Sequence, residues 1–385
     1  MPKGCDREMN IPVVVWVLSL LIWLSIFYEI AVIVAFYRWR RNRAAQATMT
    51  LPVTVLKPLH GLEPKLYENL RSFCVQDYPQ FQIVFGAHDE SDPAIAVVRR
   101  LQKEFPGADL KLVINGYSIG VNRKVCNLHN MLIKARHDIL VLSDADVRVR
   151  PDYLRVVVDP LQDPDVGVVT CPYRGLACSG IWSSLLALQI NEGFFPSVLV
   201  AKIFGSSLYS SGVTLALRRQ SLDAMGGFPV LADRLADDYW LAALIRAQGL
   251  KTVLIPYLVD TVVKEESFTI FYHHALRWSR TIRSVQPLGH AFSFLTYPVP
   301  LVLLFIFAGG SPGSASLWLA LALRLIVHYD VSNLMYRSKN GNGRQLFWVA
   351  DFLGFVIWLH SFWGRRIRWQ QESFSVRPDG RMVNR

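Results

Sequence analysis

The sequence predicts an α/β domain built on a mostly parallel sheet and carried between apolar segments at its two ends. Two observations lead there. Between Leu51 and Arg283, short β-rich runs alternate with amphipathic helical stretches, the pattern of strands joined by crossover helices. On either side the chain turns apolar. The 385 residues are 52% hydrophobic and only 18% charged, with a mean hydropathy of +0.26. Soluble domains carry about 25% charged residues, and disordered chains are polar and poor in aromatics. Both classes are therefore excluded.

Ile11–Phe36 is an apolar run with one charge, Glu29, long enough to cross a hydrocarbon core of about 30 Å. Lys3 and Arg7 precede it, and Arg38, Arg40, Arg41 and Arg43 follow it. The basic excess after the span predicts a cytoplasmic main domain. Ala45-Gln46-Ala47 resembles a signal-cleavage site, but the apolar run is too long and arginines intervene, so an uncleaved anchor is expected. Glu29 is expected near the interface rather than as a functional intramembrane acid.

Strands are expected at Pro52–Leu56, Phe81–Gly86, Leu110–Ile114, His137–Leu142 and Val166–Thr170. Helices are expected at Glu63–Cys74, Pro93–Phe105 and Asn122–Lys134, the second carrying Ile95, Val98, Leu101 and Phe105 near a 3.6 period. Ile181–Phe204 is largely apolar and fits two readings, a helix on the membrane surface and a core helix. After Pro287, Phe292–Ala308, Ser316–Tyr329 and Leu346–Trp363 are candidate membrane segments. Three full spans would carry Arg365, Arg366 and Arg368 across the membrane, against the positive-inside tendency. Either one segment is re-entrant or interfacial, or the tail is an exception. The expected division is an anchor and basic linker at 1–50, a catalytic domain at 51–285, membrane or interfacial helices at 286–364 and a basic cytoplasmic tail at 365–385.

The net charge of +11 fits nucleic acid, anionic lipid or a phosphate-bearing substrate. Basic residues flanking apolar runs favour the membrane, and no nucleic-acid-binding motif is present. The five cysteines form no CxxC, so reduced cytosolic thiols are expected.

Ligands of such a sheet bind beyond the carboxyl ends of its strands. Acids collect there: Asp89 and Asp92 after the second run, Asp144 and Asp146 after the fourth. Asp92-Pro93 also fits a helix N-cap. If the strand continues, Asp144-x-Asp146 puts both carboxylates on one face, where hard oxygen donors suit Mg²⁺ or Mn²⁺ bridging a diphosphate. Lys124 near a helix N-terminus favours an anion. No P-loop or GxGxxG occurs, which leaves ATPase and dehydrogenase readings without a motif. Asp237-Asp238 opens a helix and reads either as a capping pair or as a general base at an acceptor hydroxyl. Arg277-Trp278 reads either as an interfacial anchor or as a grip on a leaving diphosphate. His273 and His274 lack metal-ligand spacing on a helix.

Taken in order, Lys57-Pro58-Leu59-x-Gly61, Gln76-Asp77-Tyr78-Pro79, Asp92-Pro93-Ala94-Ile95, Gly120-x-Asn122-x-Lys124, Asp144, Ala236-Asp237-Asp238-Tyr239 and Arg277-Trp278 resemble the ceramide glucosyltransferase family, membrane glycosyltransferases of the GT-A fold. The bacterial hopanoid-biosynthesis-associated glycosyltransferases look closer still, through the run Leu140–Val149 and through His274-x-x-Arg277-Trp278-x-Arg280-Thr281-Ile282-Arg283. The resemblance spans Leu51 to Arg283. It implies that Asp89 and Asp92 contact or support uridine, that Lys57 is substrate-binding, that Lys124 helps bind the nucleotide, and that Asp144 and Asp146 hold Mg²⁺ or Mn²⁺ and the diphosphate. Asp238 would be the catalytic base, with Arg277 and Trp278 gripping the diphosphate near the acceptor. His274 stands where the family usually has Gln or Arg, a departure within that substrate-binding motif. The implied reaction is inverting transfer of one sugar from a UDP-sugar donor to the hydroxyl of a membrane lipid acceptor. The first expectation is N-acetylglucosamine from UDP-GlcNAc to a hopanoid, bacteriohopanetetrol, at the cytoplasmic face of a bacterial inner membrane. The alternative is UDP-glucose and ceramide. A non-catalytic membrane scaffold is a further alternative, against which the intact acids speak. No nucleic-acid partner is expected.

Overall fold

The computed structural model describes residues 12–42, 50–335, 344–364, 366–369, 372–377 and 379–383. Lys3, Cys5, Arg7, Arg43, Ala45-Gln46-Ala47, the loop at 338–343 and Arg365 lie outside these residues. Helix α1 (Val13–Arg41) leads into β1 (Val53–Pro58), α2 (Leu66–Cys74), β2 (Phe81–Ala87), α3 (Ala94–Glu104), β3 (Asp109–Ile114), α4 (Arg123–Met131) and β4 (Ile139–Leu142). Then follow β5 (Val147–Arg148), α5 (Tyr153–Val158), β6 (Val166–Thr170), β7 (Tyr173–Ala177), α6 (Gly180–Leu188) and α7 (Phe195–Ile203). After these come β8 (Leu215–Arg218), α8 (Arg219–Ala224), α9 (Asp237–Arg246), β9 (Lys251–Leu254), β10 (Val259–Val263) and α10 (Phe268–Val285).

The main sheet has the order β3-β2-β1-β4-β8-β6-β9. It is parallel except for β8, which runs antiparallel to β4 and β6. Its central strands are buried on both faces, as parallel strands covered by helices must be. Alternation along the strands separates two cores. Val53, Val55, Ile83, Phe85 and Val141 face one core, with α2, α3 and α5. Leu56, Val84, Leu140 and Leu142 face the other, with α4 and α9. Each such side chain, fully removed from water, contributes about 2 kcal/mol of apolar burial. The chain builds outward from β1 to β2 and β3, then returns to place β4 on β1's other edge. That reversal opens a crevice at the carboxyl ends of β1 and β4. A second sheet, β5-β10-β7, stands beside it.

Among the described residues, three helices are long and apolar enough to cross a membrane: α1, the continuous Gly180–Ile203 rod and Ala315–Met335 (α13). A π-helical stretch, Gln189–Phe194, joins α6 to α7 within the rod. Of the two expected readings for the rod, its burial favours the core helix. It is apolar, yet largely buried between the α/β domain and the other apolar helices, with Phe195, Leu199 and Val200 packed on Ala31, Val32 and Phe36 of α1. The segment expected at Phe292–Ala308 is not one straight span. Helix α11 (Pro287–Phe292) and its 3₁₀ extension meet α12 (Pro298–Phe307) at a 70° bend. Leu317 and Ala320 of α13 pack with Val15 and Ile22, and Val331 and Met335 pack with Val32 and Phe36, so α13 runs parallel to α1. Helix α14 (Phe347–Ser361), with 15 residues, is shorter than a full span, and Trp358 and Ser361 near its end bond to His290.

Two expectations are corrected here. Glu29 is not interfacial; it is 2% exposed, inside the helix bundle and within electrostatic reach of Arg324, Asp351 and Glu192. The segment expected as a basic tail is folded. Strands β11 (Arg366–Trp369), β12 (Glu372–Val376) and β13 (Met382–Val383) form an antiparallel sheet that bonds to Asp233, Arg234 and Leu235 of the main domain. Its described residues therefore lie on the α/β domain's side of the molecule.

Candidate active site

Strand β4 stops at Leu142, and Ser143–Asp146 forms a turn closed by the Val147 N–H donating to the Asp144 carbonyl at 3.3 Å. Asp144 and Asp146 are thus not alternate residues on one strand face, as expected; the turn brings them together. Behind the turn lies Lys57, at 0% exposure. Its ammonium donates to the Asp144 carbonyl and to Ser143 Oγ at 3.3 Å, and sits 3.9 Å from the Phe73 ring centre. Burial lowers its pKa to about 7, against the pull of Asp146 and Asp144. Lys57 therefore braces the acidic turn from inside and does not line the cleft, which corrects its expected place at the substrate.

Lys124 stands at the start of α4, whose N-cap Asn122 accepts from the Val125 N–H at 3.1 Å. Its Nζ lies 2.7 Å from Asp144 Oδ1 and 3.4 Å from Asp237 Oδ2. Asp144, Asp237 and Asp238 hold its charge firmly despite burial, so its pKa lies well above the ordinary value. Gly212 packs behind this pair: a Cβ there would sit 2.5 Å from Lys124 Nζ and 2.8 Å from Asp144 Oδ2.

Asp238 opens α9 and is half-buried in the cleft. Its Oδ2 accepts from the Gly212 N–H at 2.9 Å and its Oδ1 from the Tyr239 N–H at 2.7 Å. Burial, helped by the Asp237 charge, pushes its carboxyl up to about 6, against the effect of Lys124. A carboxylate so tuned can accept a proton near neutral pH. Of the two readings for the acidic pair, Asp237 is the partner of Lys124 and Asp238 the candidate base.

Arg277 and Trp278 lie on α10, capped by Ser267, whose Oγ accepts from the Ile270 N–H at 3.3 Å. Arg277 is half-buried; burial lowers its pKa to about 10, while Glu265, Asp144 and Tyr173 stabilise its charge. That places it in the cleft with Asp144 rather than as a free interfacial anchor. His274 Nδ1 bonds Glu265 Oε1 at 2.6 Å, and its ring meets Trp278 edge-on at 4.3 Å. Burial pushes the imidazole below its ordinary value, against the opposing pull of Glu265.

The Asp89–Asp92 loop sits farther along the same edge. Asp92 bonds the Gly61 N–H at 3.0 Å and the Ala94 N–H at 2.9 Å, tying the loop after β1 to the start of α3. Asp89 is exposed, and the Ser91 N–H bonding its carboxylate lowers its pKa. The fold thus gathers Asp144, Asp146, Lys124, Asp238 and Arg277. It leaves Lys57 beneath them, Asp92 as a loop tie, and Asp89 in reach of solvent.

Two residues of the site carry no recognisable signal. Tyr173, at the start of β7, is close enough to Asp238, Asp146, Asp144 and Arg277 to interact electrostatically with all four. Glu265 is 3% exposed, holds His274 and stabilises Arg277. Neither belongs to a local motif; only the pairing of β10 with β5 and β7 brings them in.

A divalent cation fits the acidic turn. Burial and the Asp144 charge push the Asp146 carboxyl up to about 7, a repulsion that a cation relieves. Among the described residues no group of three His, Cys, Asp or Glu side chains gathers. The protein would give two carboxylates and leave the other positions to phosphate oxygens and water, as Mg²⁺ and Mn²⁺ sites commonly do.

Comparison with known proteins adds three findings. The family model "Glycosyl transferase family 21" matches residues 17–382. Ceramide glucosyltransferase 1 of Caenorhabditis elegans is 27% identical over 351 residues, covering 89% of this chain and 73% of that protein. Ceramide glucosyltransferase 3 of the same organism is 24% identical over 362 residues, covering 88% and 73%. The structure of the mannosyltransferase PcManGT from Pyrobaculum calidifontis, with GDP-Man and Mn²⁺, aligns with a TM-score of 0.53 at 21% identity, covering 90% of this chain and 99% of that one. This last likeness concerns the fold.

Proposed function

From the premise that the chain belongs to glycosyl transferase family 21 and is a glycosyltransferase of the GT-A fold, we propose that it moves one sugar from a UDP-sugar to a membrane-lipid hydroxyl with inversion. The observation that carries this reading is the meeting of Lys124, Asp144, Asp238 and Arg277 in one cleft beside the apolar Gly180–Ile203 rod. The diphosphate lies between Lys124 and Arg277, whose charges offset the negative charge that grows on the leaving UDP. Asp144 and Asp146 would hold a divalent metal, which when bound would supply positive charge to the diphosphate. Asp238 takes the proton of the acceptor hydroxyl as its oxygen bonds to C1 of the sugar. The bond from C1 to the phosphate oxygen breaks, and UDP leaves with that electron pair. A single displacement turns an α-linked donor into a β-glycoside.

The parallel run of α1 and α13, and the return of the tail strands to the catalytic domain, support a topology in which the domain and both basic flanks share the cytoplasmic face. For donor and acceptor, the first reading is UDP-GlcNAc and bacteriohopanetetrol. The second, UDP-glucose and ceramide, is favoured by the relatives named ceramide glucosyltransferase.

The test is a panel with purified protein in detergent. UDP-glucose, UDP-GlcNAc and UDP-galactose are paired with ceramide and bacteriohopanetetrol, in Mn²⁺ or Mg²⁺, and products are read by mass. A glycosylated hopanoid supports the first reading and a glycosylated ceramide the second. UDP release without lipid product contradicts both. EDTA or Asp144→Asn is expected to abolish turnover; full activity in EDTA removes the metal from the proposal.

A further inference from the structure

We propose that the C-terminal strands are a strap that fixes the distance between the Asp238 end of α9 and the Arg277 helix α10. The inference rests on the reading of that cleft as the transfer site and adds a positioning element to it. On the α9 side the strap grips residues 233–235 from three directions. The Met382 N–H donates to the Asp233 carbonyl at 2.7 Å, and the Leu235 N–H donates to the Gly380 carbonyl at 3.1 Å. The Arg234 guanidinium donates to the Asp379 carbonyl and lies 4.0 Å from the Trp240 ring centre. Leu235 is buried with Ile367, Phe374, Val376 and Met382, and Val121 packs against that cluster.

The same short loop carries the catalytic groups. Asp233 Oδ1 accepts from the Val121 N–H at 3.0 Å. The Asn122 N–H donates to the Ala232 carbonyl at 2.7 Å, and its side-chain amide donates to the Arg234 carbonyl at 2.8 Å. Two residues beyond Asn122 stands Lys124, and three beyond Leu235 stands Asp238. On the α10 side, Arg280, three residues after Arg277, donates to the Trp363 carbonyl at 2.5 Å and to the Arg366 carbonyl. Arg283 donates to the Gly364 carbonyl at 2.9 Å and to the Ser361 carbonyl. One stretch of chain therefore bonds to both walls of the cleft, and a misplacement of about 1 Å between reacting groups is enough to cost about 10²-fold in rate.

The full-length protein in lipid nanodiscs carries the test. Met382→Asp puts a charge into the apolar knot. Gly380→Val places a β-branched residue at φ +81°, with its Cβ 3.1 Å from Trp240 Nε1. Met382→Leu keeps the packing. The readouts are kcat and donor KM, together with amide hydrogen exchange at 120–125, 232–240 and the sheet strands 53–58 and 81–87. The first two variants are expected to lose at least about tenfold in kcat, more than donor KM rises, while Met382→Leu matches the natural protein. Exchange is expected to quicken at 120–125 and 232–240 and to stay unchanged in the sheet. A kcat within about twofold of natural in both disruptive variants, or faster exchange confined to 366–383, overturns the strap. Should Met382→Asp loosen the whole sheet, Gly380→Ala replaces it and the same outcomes decide. If the natural protein transfers no sugar, the transfer reading falls while the exchange comparison still decides the strap.

Discussion

Lys124 lies 2.7 Å from Asp144 and 3.4 Å from Asp237, and Asp238 sits two backbone hydrogen bonds deep beside them. The Asp144, Asp237 and Asp238 charges hold Lys124 protonated despite its burial, and the Asp237 charge adds to the burial that raises Asp238. Asp238, with its carboxyl pushed up to about 6, is a base only above that pH. kcat/KM is therefore predicted to rise with pH through about 6, with an acid limb that Asp238→Asn removes along with activity. That substitution keeps the shape and one of the two acceptor contacts to backbone amides, and is expected to cost about 10²- to 10⁴-fold in kcat with UDP affinity nearly unchanged. A steady-state pH profile and a UDP titration check both. The raised carboxyl also makes a stability statement. Its stabilising share is complete below the ordinary 3.8 and is lost as pH rises through about 6. Lys57 and Glu265 belong to the same scale. Each is buried behind a group that faces the cleft, Lys57 behind Asp144 and Glu265 behind His274.

At the scale of elements, the site is assembled by ends. The turn after β4, the start of α4, the start of α9 and the middle of α10 converge at the carboxyl ends of β1 and β4. The loop holding Gly212 backs this meeting point. Gly212→Ala would push its new methyl against Lys124 Nζ and Asp144 Oδ2, both ends of movable side chains. The expected outcome is a thermal midpoint close to natural with activity reduced by about tenfold, a split that a structural role alone does not give. Much of this was legible in the chain. The strands at 53–58, 81–87, 109–114, 139–142 and 166–170 follow dense β-branched and aliphatic runs, and the acids mark their carboxyl ends. What escaped depends on tertiary contact. β8 enters antiparallel between β4 and β6, although Leu215–Arg218 reads like any short run. Tyr173 and Glu265 reach the cleft only because β10 pairs with both β5 and β7. The tail strands escaped because their arginines read as a solvated basic flank, while what binds them to the main domain is backbone bonding at 233–235 and the packing of Ile367, Phe374, Val376 and Met382 on Leu235. Asp144-x-Asp146 was legible as a motif but not as a turn, since nothing local ends β4 at Leu142.

Across the whole molecule, the apolar helices are held by polar contacts as well as by packing. Arg324 on α13 donates to Asp351 on α14 at 2.7 and 2.8 Å and to Glu192 in the π-helical stretch at 3.1 Å. His328 bonds the other Glu192 oxygen at 2.8 Å and stacks on Phe347 at 4.0 Å. All three members of the ion cluster are under a tenth exposed. Such a cluster fixes which faces of the helices meet, because any other register strands a charge away from water. Arg324→Met is predicted to destabilise the protein by about 3–5 kcal/mol, since it takes the cation from buried Asp351 and leaves Glu192 with His328 alone. Thermal unfolding in detergent measures it; a midpoint equal to the natural protein's contradicts the assignment. The rod that carries Glu192 continues to Phe194, whose ring lies 5.6 Å from that of Tyr173 in the cleft. The helix bundle and the candidate site are thus joined through one continuous element, which on the proposed reading would bring a membrane-held acceptor to the mouth of the α/β domain.

The decisive measurement is the anomeric configuration of the product formed from an α-linked UDP-sugar and a lipid acceptor, read by NMR from the coupling at C1. A β-glycoside, absent with Asp238→Asn, is the predicted result. An α-glycoside would mean retention, which a single displacement with Asp238 as base cannot produce.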